Sequence, residues 1–526
     1  MVKNPVLTGF HPDPSMIFRD GVFYIANSTF EYFPGVCISA SRDLANWETV
    51  SYPLAEKRLL DMRGNPNSAG VWAPNLSYCD GLFYLVYTDL KHWTPVFKDA
   101  NNYITTAPSV EGPWSDPVYI TSSGFDPSLF HDEDGRKYFV NMEWDYRRTG
   151  DDGSDVENFT GILITELDPK TLAPVSEAVN VYKGTDRGLV EAPYIHKYDG
   201  YYYLFTAEGG TTLCHAETVA RAKHIYGPYE THPDKHILST LETPSSPLQK
   251  AGHASICTGP DGRWWIAFLC GRPMKDSGVC PLGRETGVAE LVWRDNWPYL
   301  KNGSTVPDEY FEGYGQTGPG LSGPIDYDFT SKGFALDFMS LRTPARYETA
   351  GGSLRLYGGD SLLSRFDQNM LVRRQCDFSF EFETAFTLPF DHFGRMAGLI
   401  YRYNEENQYY LRAAYNEDKG CKTLGILCFD KYGFSMPLGD QEIPAGDTVH
   451  LRVKMDGRYG FFGYSPDGLE YIDIPYRLDA ARLSDEYATP LGFTSAYVGM
   501  CSIDFVDKQG YADFLYARYQ PLETKW

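Results

Sequence analysis

Three acidic residues in the N-terminal half of the chain lie in motifs that could carry acid–base chemistry. Asp13 and Asp126 each open an Asp-Pro-Ser tripeptide, in "FHPDPS" and "GFDPS", and Glu191 precedes Ala-Pro in "LVEAPY". Cleavage of a glycosidic bond needs a protonated acid at the leaving oxygen and an ionised carboxylate on the opposite face. Burial and like charge separate the pKa values of neighbouring carboxyls, so one can keep its proton near neutral pH. A third carboxylate can tune and orient the acid; the alternative is a structural or metal-binding ring of acids.

These motifs belong to a repeat. Five segments share a short apolar strand, an Asp-Gly turn and a strand rich in aromatic and β-branched residues, which is the sequence signal of a β-hairpin. They begin at Asp13, Ala73, Asp126, Ala192 and His253. The period of about 60 residues fits the four strands and loops of a propeller blade.

We therefore predict that residues 1–311 form a five-bladed β-propeller. Equivalent positions in the blades of a propeller converge on its central axis. The head of each repeat should then contribute to one pocket, and these heads carry Asp13, the Trp72-Ala73 pair, Asp126, the Glu191-Ala192 pair and His253. Three carboxylates, a tryptophan and a histidine around one axis indicate a site.

The second half of the chain follows a different pattern. A Gly/Pro-rich stretch, "EGYGQTGPGLSGPI", predicts a linker at residues 312–325. Beyond it, alternating strands such as "CDFSFEFETAF" recur at hairpin spacing without a copy of the blade template. We predict an antiparallel β-sandwich over residues 326–526, so that the whole chain is all-β.

Composition narrows the class of partner and the compartment. The formal charge of −23, from 47 basic and 70 acidic residues, argues against nucleic acid and anionic membranes as partners. The N-terminus has no apolar leader segment, and no stretch of the sequence is apolar enough to span a bilayer. The ten cysteines have no paired spacing. We expect reduced thiols and a cytoplasmic protein.

The motifs, taken together, resemble those of a known family. In order along the chain they are "NPVLTGFHPDPS", "GVWAPNLSY", "GFDPSLFHDEDG", "LVEAPYIHK", "KAGHASI" and "GRETGVAELVW". The chain resembles the two-domain, intracellular β-xylosidases and α-L-arabinofuranosidases of glycoside hydrolase family 43. That resemblance implies a propeller followed by a concanavalin-like sandwich, with Asp13 as general base, Asp126 as pKa modulator and Glu191 as general acid. It also implies inversion at the anomeric carbon, with base and acid about 6.5–9.5 Å apart.

The resemblance extends to substrate-binding residues. It implies that Arg284 reaches the hydroxyls of the glycone sugar and the modulator. The pocket walls would be formed by Phe30, Trp72, Ala73, Trp144 and Thr206. His253 would lie on the axis beneath the site, where in some relatives it holds a calcium ion through water and in others no metal is needed.

The sandwich is expected to close the pocket. The segment 493–505, "FTSAYVGMCSIDF", resembles the loop that relatives insert over the propeller mouth, with Tyr497 where they usually have Phe. A blind pocket releases one terminal sugar at a time, which favours exo-cleavage of short xylo-oligosaccharides to xylose. Relatives often form dimers or tetramers, so a homo-oligomer is expected.

Three other functions are alternatives to an exo-acting β-xylosidase. An α-L-arabinofuranosidase, or an enzyme with both activities, would present similar contacts, and the sequence does not separate them. A non-catalytic carbohydrate-binding protein would have lost one or more of the three acids, all of which are present. Invertase-like propeller glycosidases use a nucleophile and retain configuration, and they lack the "EAPY" and "GHASI" motifs.

Overall fold

The computed structural model describes residues 1–94, 96–151, 153–318, 323–389, 391–443 and 446–524. Residues 319–322 of the predicted linker lie outside the described residues. β-strands form nearly all of the regular structure. The helices in the described part of the chain are α1 (Lys332–Asp337) and the 3-10 turns Tyr146–Arg148, Val156–Asn158 and Ala480–Arg482. None of these helices is long and apolar enough to cross a membrane.

The first 311 residues form a five-bladed propeller, which confirms the predicted fold. In chain order its strands are β1 (Val2–Lys3), β2 (Ser15–Arg19), β3 (Val22–Asn27), β4 (Tyr32–Phe33), β5 (Cys37–Ser41), β6 (Glu48–Ser51), β7 (Gly70–Cys79), β8 (Leu82–Leu90), β9 (Ala100–Ala107), β10 (Val118–Thr121), β11 (Ser128–His131), β12 (Lys137–Trp144), β13 (Phe159–Leu167), β14 (Val179–Tyr182), β15 (Glu191–Tyr198), β16 (Tyr201–Glu208), β17 (Ala216–Ala222), β18 (Glu230–Ser239), β19 (Gln249–Thr258), β20 (Trp264–Gly271), β21 (Arg284–Arg294), β22 (Trp297–Leu300) and β23 (Tyr310–Phe311). The blades are the four-stranded antiparallel sheets β2-β3-β5-β6, β7 to β10, β11 to β14, β15 to β18 and β19 to β22.

The predicted Asp-Gly turns join the first two strands of each blade. In the first, second and fourth blades the turn has two residues, and both the Asp and the Gly have positive φ, as at Asp20 (50°) and Gly21 (80°). This is the backbone of a type I′ hairpin, which matches the twist of the flanking strands. The third and fifth blades have longer loops, in which the Gly has positive φ.

The ring is closed by pairing between the two ends of the propeller. Strand β1 pairs with β23, and Leu7 forms a bridge to Thr286 in the last blade. The Asn4 side-chain amide donates to the Val288 carbonyl at 2.8 Å and accepts from the Val288 N–H at 2.9 Å. The segment that leads to Asp13 is therefore held against the last blade.

The second half of the chain forms a sandwich of two antiparallel sheets, as predicted. Its strands are β24 (Ile325–Tyr327), β25 (Ser340–Leu341), β26 (Tyr347–Ala350), β27 (Ser353–Tyr357), β28 (Met370–Arg374), β29 (Phe380–Thr387), β30 (Arg395–Asn404), β31 (Asn407–Asn416), β32 (Cys421–Asp430), β33 (Gly433–Ser435), β34 (Gln441–Glu442), β35 (Thr448–Asp456), β36 (Tyr459–Ser465), β37 (Ile472–Asp479), β38 (Tyr497–Asp504) and β39 (Tyr511–Pro521). One sheet has the order β26-β27-β39-β29-β35-β36-β37 and the other β28-β38-β30-β31-β32-β33.

The second of these sheets is buried on both faces. Leu399 and Tyr401 on β30 point into the sandwich core, whereas Ile400 between them packs with Phe10 and Tyr32 of the propeller. Alternate strand residues point to opposite faces, so one strand serves both cores. Strand β25 also pairs with β4 of the propeller. The two halves of the chain therefore share a hydrophobic cluster and a strand pair.

Candidate active site

The three predicted acids meet at one end of the propeller axis. Asp13, Asp126 and Glu191 are all buried and line one cavity of about 310 Å³. Its other lining residues are Phe30, Trp72, Trp93, Lys98, Phe125, Asp155, Phe159, Leu189, Gly210, Thr211, Thr212, His253, Arg284, Pro490, Leu491 and Phe493. A small, largely apolar cavity with a few converging charged groups has the character of a small-molecule site.

The backbone at the repeat heads explains why these side chains converge. The first residue of each repeat has positive φ, with values of 53° at Asp13, 37° at Ala73, 53° at Asp126, 51° at Ala192 and 45° at His253. Residues other than Gly rarely adopt this conformation, and such outliers cluster at functional sites. Strands β7, β15 and β19 have a register shift at the same point. Each blade thus bends where it reaches the axis.

Asp13 accepts hydrogen bonds from two side chains of the propeller. Arg284 Nη1 donates to Asp13 Oδ1 at 3.0 Å, and Ser28 Oγ donates to Oδ2 at 2.6 Å. Ser28 is itself oriented, because its Oγ accepts the N–H of Ala73 at 2.8 Å. An adjacent cation and hydrogen bonds both stabilise a carboxylate. These contacts suit a carboxylate that removes a proton from water.

Glu191 and Asp126 both have raised pKa values. Burial, followed by the charge of Asp13, raises the pKa of Glu191 to about 8. Burial also raises the pKa of Asp126 well above its usual value, and repulsion from Glu191 and Asp13 adds to this effect. The N–H of Ala192, directly after Glu191, donates to Asp126. One carboxylate beside two protonated carboxyls is an arrangement that can perform acid–base catalysis near neutral pH.

Arg284 joins the acids to the sandwich. Its Nη2 donates to the backbone carbonyl of Phe493 at 2.8 Å, while Nη1 holds Asp13. Its guanidinium carbon lies 5.0 Å from the centre of the Phe30 ring and 5.8 Å from that of Phe493. A planar cation with several donors is suited to such simultaneous contacts. Arg284 therefore links Asp13 to the loop that covers it.

Aromatic rings form a continuous wall beside the acids. The centre of the Trp72 ring lies 5.6 Å from Phe30, 5.4 Å from Phe125 and 5.5 Å from Phe493. Trp93 extends the wall, with its ring centre 5.2 Å from Phe493. Aromatic faces beside charged groups suit a sugar, whose C–H bonds pack on rings while its hydroxyls bind polar groups.

Sequence reasoning missed part of this wall. Trp93 and Lys98 come from the loop after β8, Phe125 directly precedes the "DPS" motif, and Phe159 opens β13. Lys98 is held on the wall by a hydrogen bond to the Trp93 carbonyl at 3.0 Å and lies 3.9 Å from the Trp144 ring centre. Of these four, Phe125 alone carried a usable signal, because it adjoins a repeat head.

Three of the predicted wall residues lie outside the cavity lining. Trp144 lies behind Lys98 and Phe159 and donates through Nε1 to the Val96 carbonyl. Thr206 is buried and bonds to Thr218 at 2.6 Å; its neighbour Ala207 pairs with Glu191, so Thr206 points to the other face of the sheet. Ala73 lines a separate axial cavity of about 30 Å³ and reaches the site through its N–H to Ser28.

The prediction for Tyr497 was also wrong. Its side chain is fully buried between the two halves of the chain and stacks on Tyr32 with ring centres 3.8 Å apart. The residue that closes the cavity is Phe493, together with Pro490 and Leu491. Phe493 is the first residue of the predicted segment 493–505, whereas strand β38 begins at Tyr497, so only the start of that segment covers the cavity. The sandwich does supply an aromatic ring to the cavity, and that ring is a Phe.

His253 lies beside Asp13. Its Nδ1 is 3.6 Å from Asp13 Oδ1, and burial lowers the pKa of its ring. It lines both the main cavity and the axial cavity below it. Within the described ranges there is no group of three or more His, Cys, Asp or Glu side chains placed to hold a metal ion. A calcium ion here would need water for most of its six to eight oxygen ligands.

Comparison with known proteins matches both halves of the chain. The model of glycosyl hydrolases family 43 matches residues 2–298, and that of the β-xylosidase C-terminal concanavalin A-like domain matches residues 326–520. The β-xylosidase of Bacillus subtilis is 42% identical, and the xylosidase/arabinosidase 43B of Humicola insolens 44%; each alignment covers 99% of this chain and at least 98% of the relative. The crystal structure of xylan β-1,4-xylosidase from Bacillus halodurans superposes with a TM-score of 0.93 at 41% identity, over 99% of this chain and 100% of that one.

Proposed function

The chain belongs to glycosyl hydrolase family 43, and from that premise we propose that it is an exo-acting, inverting β-xylosidase. Its substrates would be β-1,4-xylo-oligosaccharides, from whose non-reducing ends it releases xylose. The proposal is supported by the names of its full-length relatives, which include β-xylosidases from two bacilli. The observation that carries it is the pairing, in one cavity, of a carboxylate held by Arg284 with a carboxyl that keeps its proton.

In this mechanism Asp13 is the general base. It takes a proton from a water molecule as that water attacks the anomeric carbon, and the hydrogen bonds from Arg284 and Ser28 hold its carboxylate in position for that task. Glu191 is the general acid and gives its proton to the departing glycosidic oxygen. Each proton transfer is typically worth about 10²–10⁴-fold in rate. Because water attacks directly, the sugar product has the inverted configuration.

Asp126 is assigned the role of modulator. It holds no reacting atom in this mechanism but accepts the N–H of Ala192, the residue directly after Glu191, and so helps to orient the acid. Burial, and then the charges of Glu191 and Asp13, raise the pKa of Asp126 in turn, so the two buried carboxyls titrate as a coupled pair.

The loop from the sandwich supports exo-cleavage. Pro490, Leu491 and Phe493 close one side of a cavity whose volume suits a small ligand. A chain cannot pass through a pocket that is closed at its far end, so a terminal sugar would enter and the rest of the oligomer would extend outward. Cleavage one xylose at a time follows from this geometry.

The second candidate is an α-L-arabinofuranosidase, or an enzyme with both activities. It is favoured by the 44% identity to a relative named as both a xylosidase and an arabinosidase. Aromatic rings and one guanidinium would contact xylopyranosyl and arabinofuranosyl ends in similar ways. Turnover of 4-nitrophenyl β-xyloside compared with 4-nitrophenyl α-L-arabinofuranoside distinguishes the two activities.

The configuration of the first product tests the proposal directly. Proton NMR of a β-xyloside reaction, recorded before mutarotation, should show α-xylose first. Appearance of β-xylose first would overturn the inverting mechanism and the role of Asp13 as base. Absence of turnover on both nitrophenyl substrates and on xylobiose would overturn the proposed function as a whole.

Three further expectations stand as predictions. A calcium ion, bound near His253 through water, would be supported by loss of activity on EDTA dialysis and its return with added calcium. A homo-oligomer, dimer or tetramer, is tested by sedimentation analysis. A cytoplasmic location would be consistent with the ten cysteines, all of which are free thiols, and fractionation of the source cells tests it.

A further inference from the structure

The aromatic wall of the cavity is attached to one short segment, residues 65–68. Trp72 Nε1 donates to the Ser68 carbonyl at 2.8 Å, and Trp93 Nε1 donates to the Asn67 carbonyl at 2.8 Å. The backbone N–H of Phe493 donates to Ser68 Oγ at 3.0 Å. Three rings from distant parts of the chain therefore take their positions from this segment.

An arginine of the sandwich holds the segment in turn. Arg342 Nε donates to the Asn65 carbonyl at 2.6 Å, and Nη2 donates to Asn67 Oδ1 at 3.0 Å. Its Nη1 donates to Glu405 Oε1 at 2.7 Å. The Arg342 backbone N–H also donates to the carbonyl of Glu31, which directly follows Phe30. Each nitrogen of the buried guanidinium thus has a partner, and two of the three partners lie in residues 65–68.

The surroundings of Arg342 are specific for arginine. Its side chain is 1% exposed, and it shares a buried cluster with Arg402, Glu31 and Glu405. Glu31 Oε2 accepts the N–H of Ser68 at 3.0 Å, so the cluster contacts the segment at a further point. Buried charges must be paired, and the planar fork of a guanidinium makes several directed contacts that an ammonium cannot.

The backbone conformation of Arg342 and of Ser68, within the segment, supports the same conclusion. Arg342 and Ser68 each have φ of 60°, in the left-handed region that residues other than Gly seldom adopt. Such conformations persist where the surrounding contacts determine them, and they gather at ligand-binding sites. Ser68 and Arg342 are thus held in place from both sides of the interface.

We infer that Arg342 is a positioning residue for sugar binding, through which the sandwich sets the aromatic wall of the cavity. The inference rests on the proposed function, because it takes the cavity as the sugar site. Arg342 is not among the groups that set the pKa of Glu191 or Asp126. Its loss should therefore weaken binding and leave the acid–base chemistry intact.

The test compares Arg342→Met and Arg342→Lys with Asn67→Ala and with a control, Arg355→Met. Arg355 lies on β27, in the sheet of the sandwich opposite the one that packs against the propeller, where it pairs with Asp513 at 2.8 Å. For each variant, kcat and KM are measured with 4-nitrophenyl β-xyloside as a function of pH. The inhibition constant of xylose and the tryptophan fluorescence spectrum are measured as well. Small displacements of positioning groups cost up to about 10²-fold.

Arg342→Met should raise both KM and the inhibition constant of xylose by about 10–100-fold. Its kcat should stay within about threefold of wild type, and its pH profile should be unchanged. The reason is that the aromatic wall contacts the sugar in the ground state and in the transition state alike, so its loss weakens both equally. Arg342→Lys and Asn67→Ala should raise both constants less, by about three- to tenfold. Tryptophan emission should shift in the Arg342 variants, and Arg355→Met should match wild type in every measurement.

Several outcomes would overturn the inference. One is unchanged KM and xylose inhibition in folded Arg342→Met, and another is a fall in kcat alone, which would mean a smaller fraction of folded enzyme. If Arg342→Met does not fold, unchanged constants in Asn67→Ala and Arg342→Lys would assign Arg342 to folding only. If the proposed function is wrong, the wild-type enzyme will itself be inactive on these substrates, which distinguishes that failure from failure of the inference. In that case the tryptophan emission of the variants still tests whether Arg342 positions the aromatic wall.

Discussion

The two sides of the cavity are built in different ways. The acidic side consists of Asp13 and Asp126, which stand at equivalent points of two propeller blades, and Glu191, which directly precedes that point in another blade. The aromatic side combines Trp72, Trp93 and Phe493 from a blade, a loop and the sandwich. The acidic side depends on the backbone bend at each repeat head, whereas the aromatic side depends on the contact between domains. Chemistry and binding should therefore be separable by mutation.

The largest expected effect lies on the acidic side, at the base. Asp13→Asn removes the proton acceptor but keeps the shape of the side chain. We expect kcat to fall by about 10²–10⁴-fold. The fall should be the same for 4-nitrophenyl β-xyloside and for xylobiose. Both substrates need an activated water equally. Steady-state kinetics on the two substrates check this, with Asp20→Asn in the first Asp-Gly turn as the control. Retention of activity on either substrate would contradict the assignment.

The next effect separates the acid from the base. Glu191→Gln removes the proton donor, which matters most when the leaving group is poor. Hydrolysis of xylobiose should fall by about 10²–10⁴-fold, and that of 4-nitrophenyl β-xyloside by much less, because nitrophenolate leaves without a proton. The ratio of the two kcat/KM values is the measurement. Equal losses on both substrates would mean that Glu191 is not the acid.

On the aromatic side the expected effect is smaller and falls on binding. Phe493→Ala keeps the backbone carbonyl that Arg284 contacts and removes only the ring. Phe493 is partly buried, and full burial of a Phe side chain is worth about 1.5–3 kcal/mol, so loss of the ring should raise KM by up to about 10–100-fold with little change in kcat. Phe505→Ala, at an exposed ring of the same domain, is the matched control. A change confined to kcat would break the division between the two sides.

The smallest expected effect is a shift in pH dependence where the two sides meet. Activity should fall as pH rises through the pKa of Glu191, because the acid then loses its proton. Lys98 lowers that pKa through its charge, so Lys98→Met should raise the pKa and move the basic limb to higher pH. Asp155 raises that pKa through its charge, so Asp155→Asn should move the same limb to lower pH.

The pH–rate profiles of these two variants, compared with Lys301→Met on the surface, check the prediction. Shifts in the same direction would show that Lys98 and Asp155 do not act on Glu191 through their charges.

The sequence by itself was enough for the parts of this protein that rest on local chemistry. The Asp-Gly turns, the X-Pro heads and the period of about 60 residues predicted the propeller and brought Asp13, Asp126 and Glu191 to one axis. The alternating strands predicted the sandwich. Each of these features repeats, so its meaning could be checked against the other copies along the chain.

Only the tertiary structure decided which side chains form the wall of the cavity beside the acids. Trp144 and Thr206 were predicted to line the cavity but lie behind it, and Trp93, Phe159 and Lys98 line it instead. Tyr497 is fully buried at the domain interface, and Phe493, four residues earlier, covers the site. Loops have no period from which the direction of a side chain can be read. The faces of the cavity that these loops form are set by packing between the sandwich and the propeller, where residues far apart in the sequence, such as Arg342 and Asn67, are in contact.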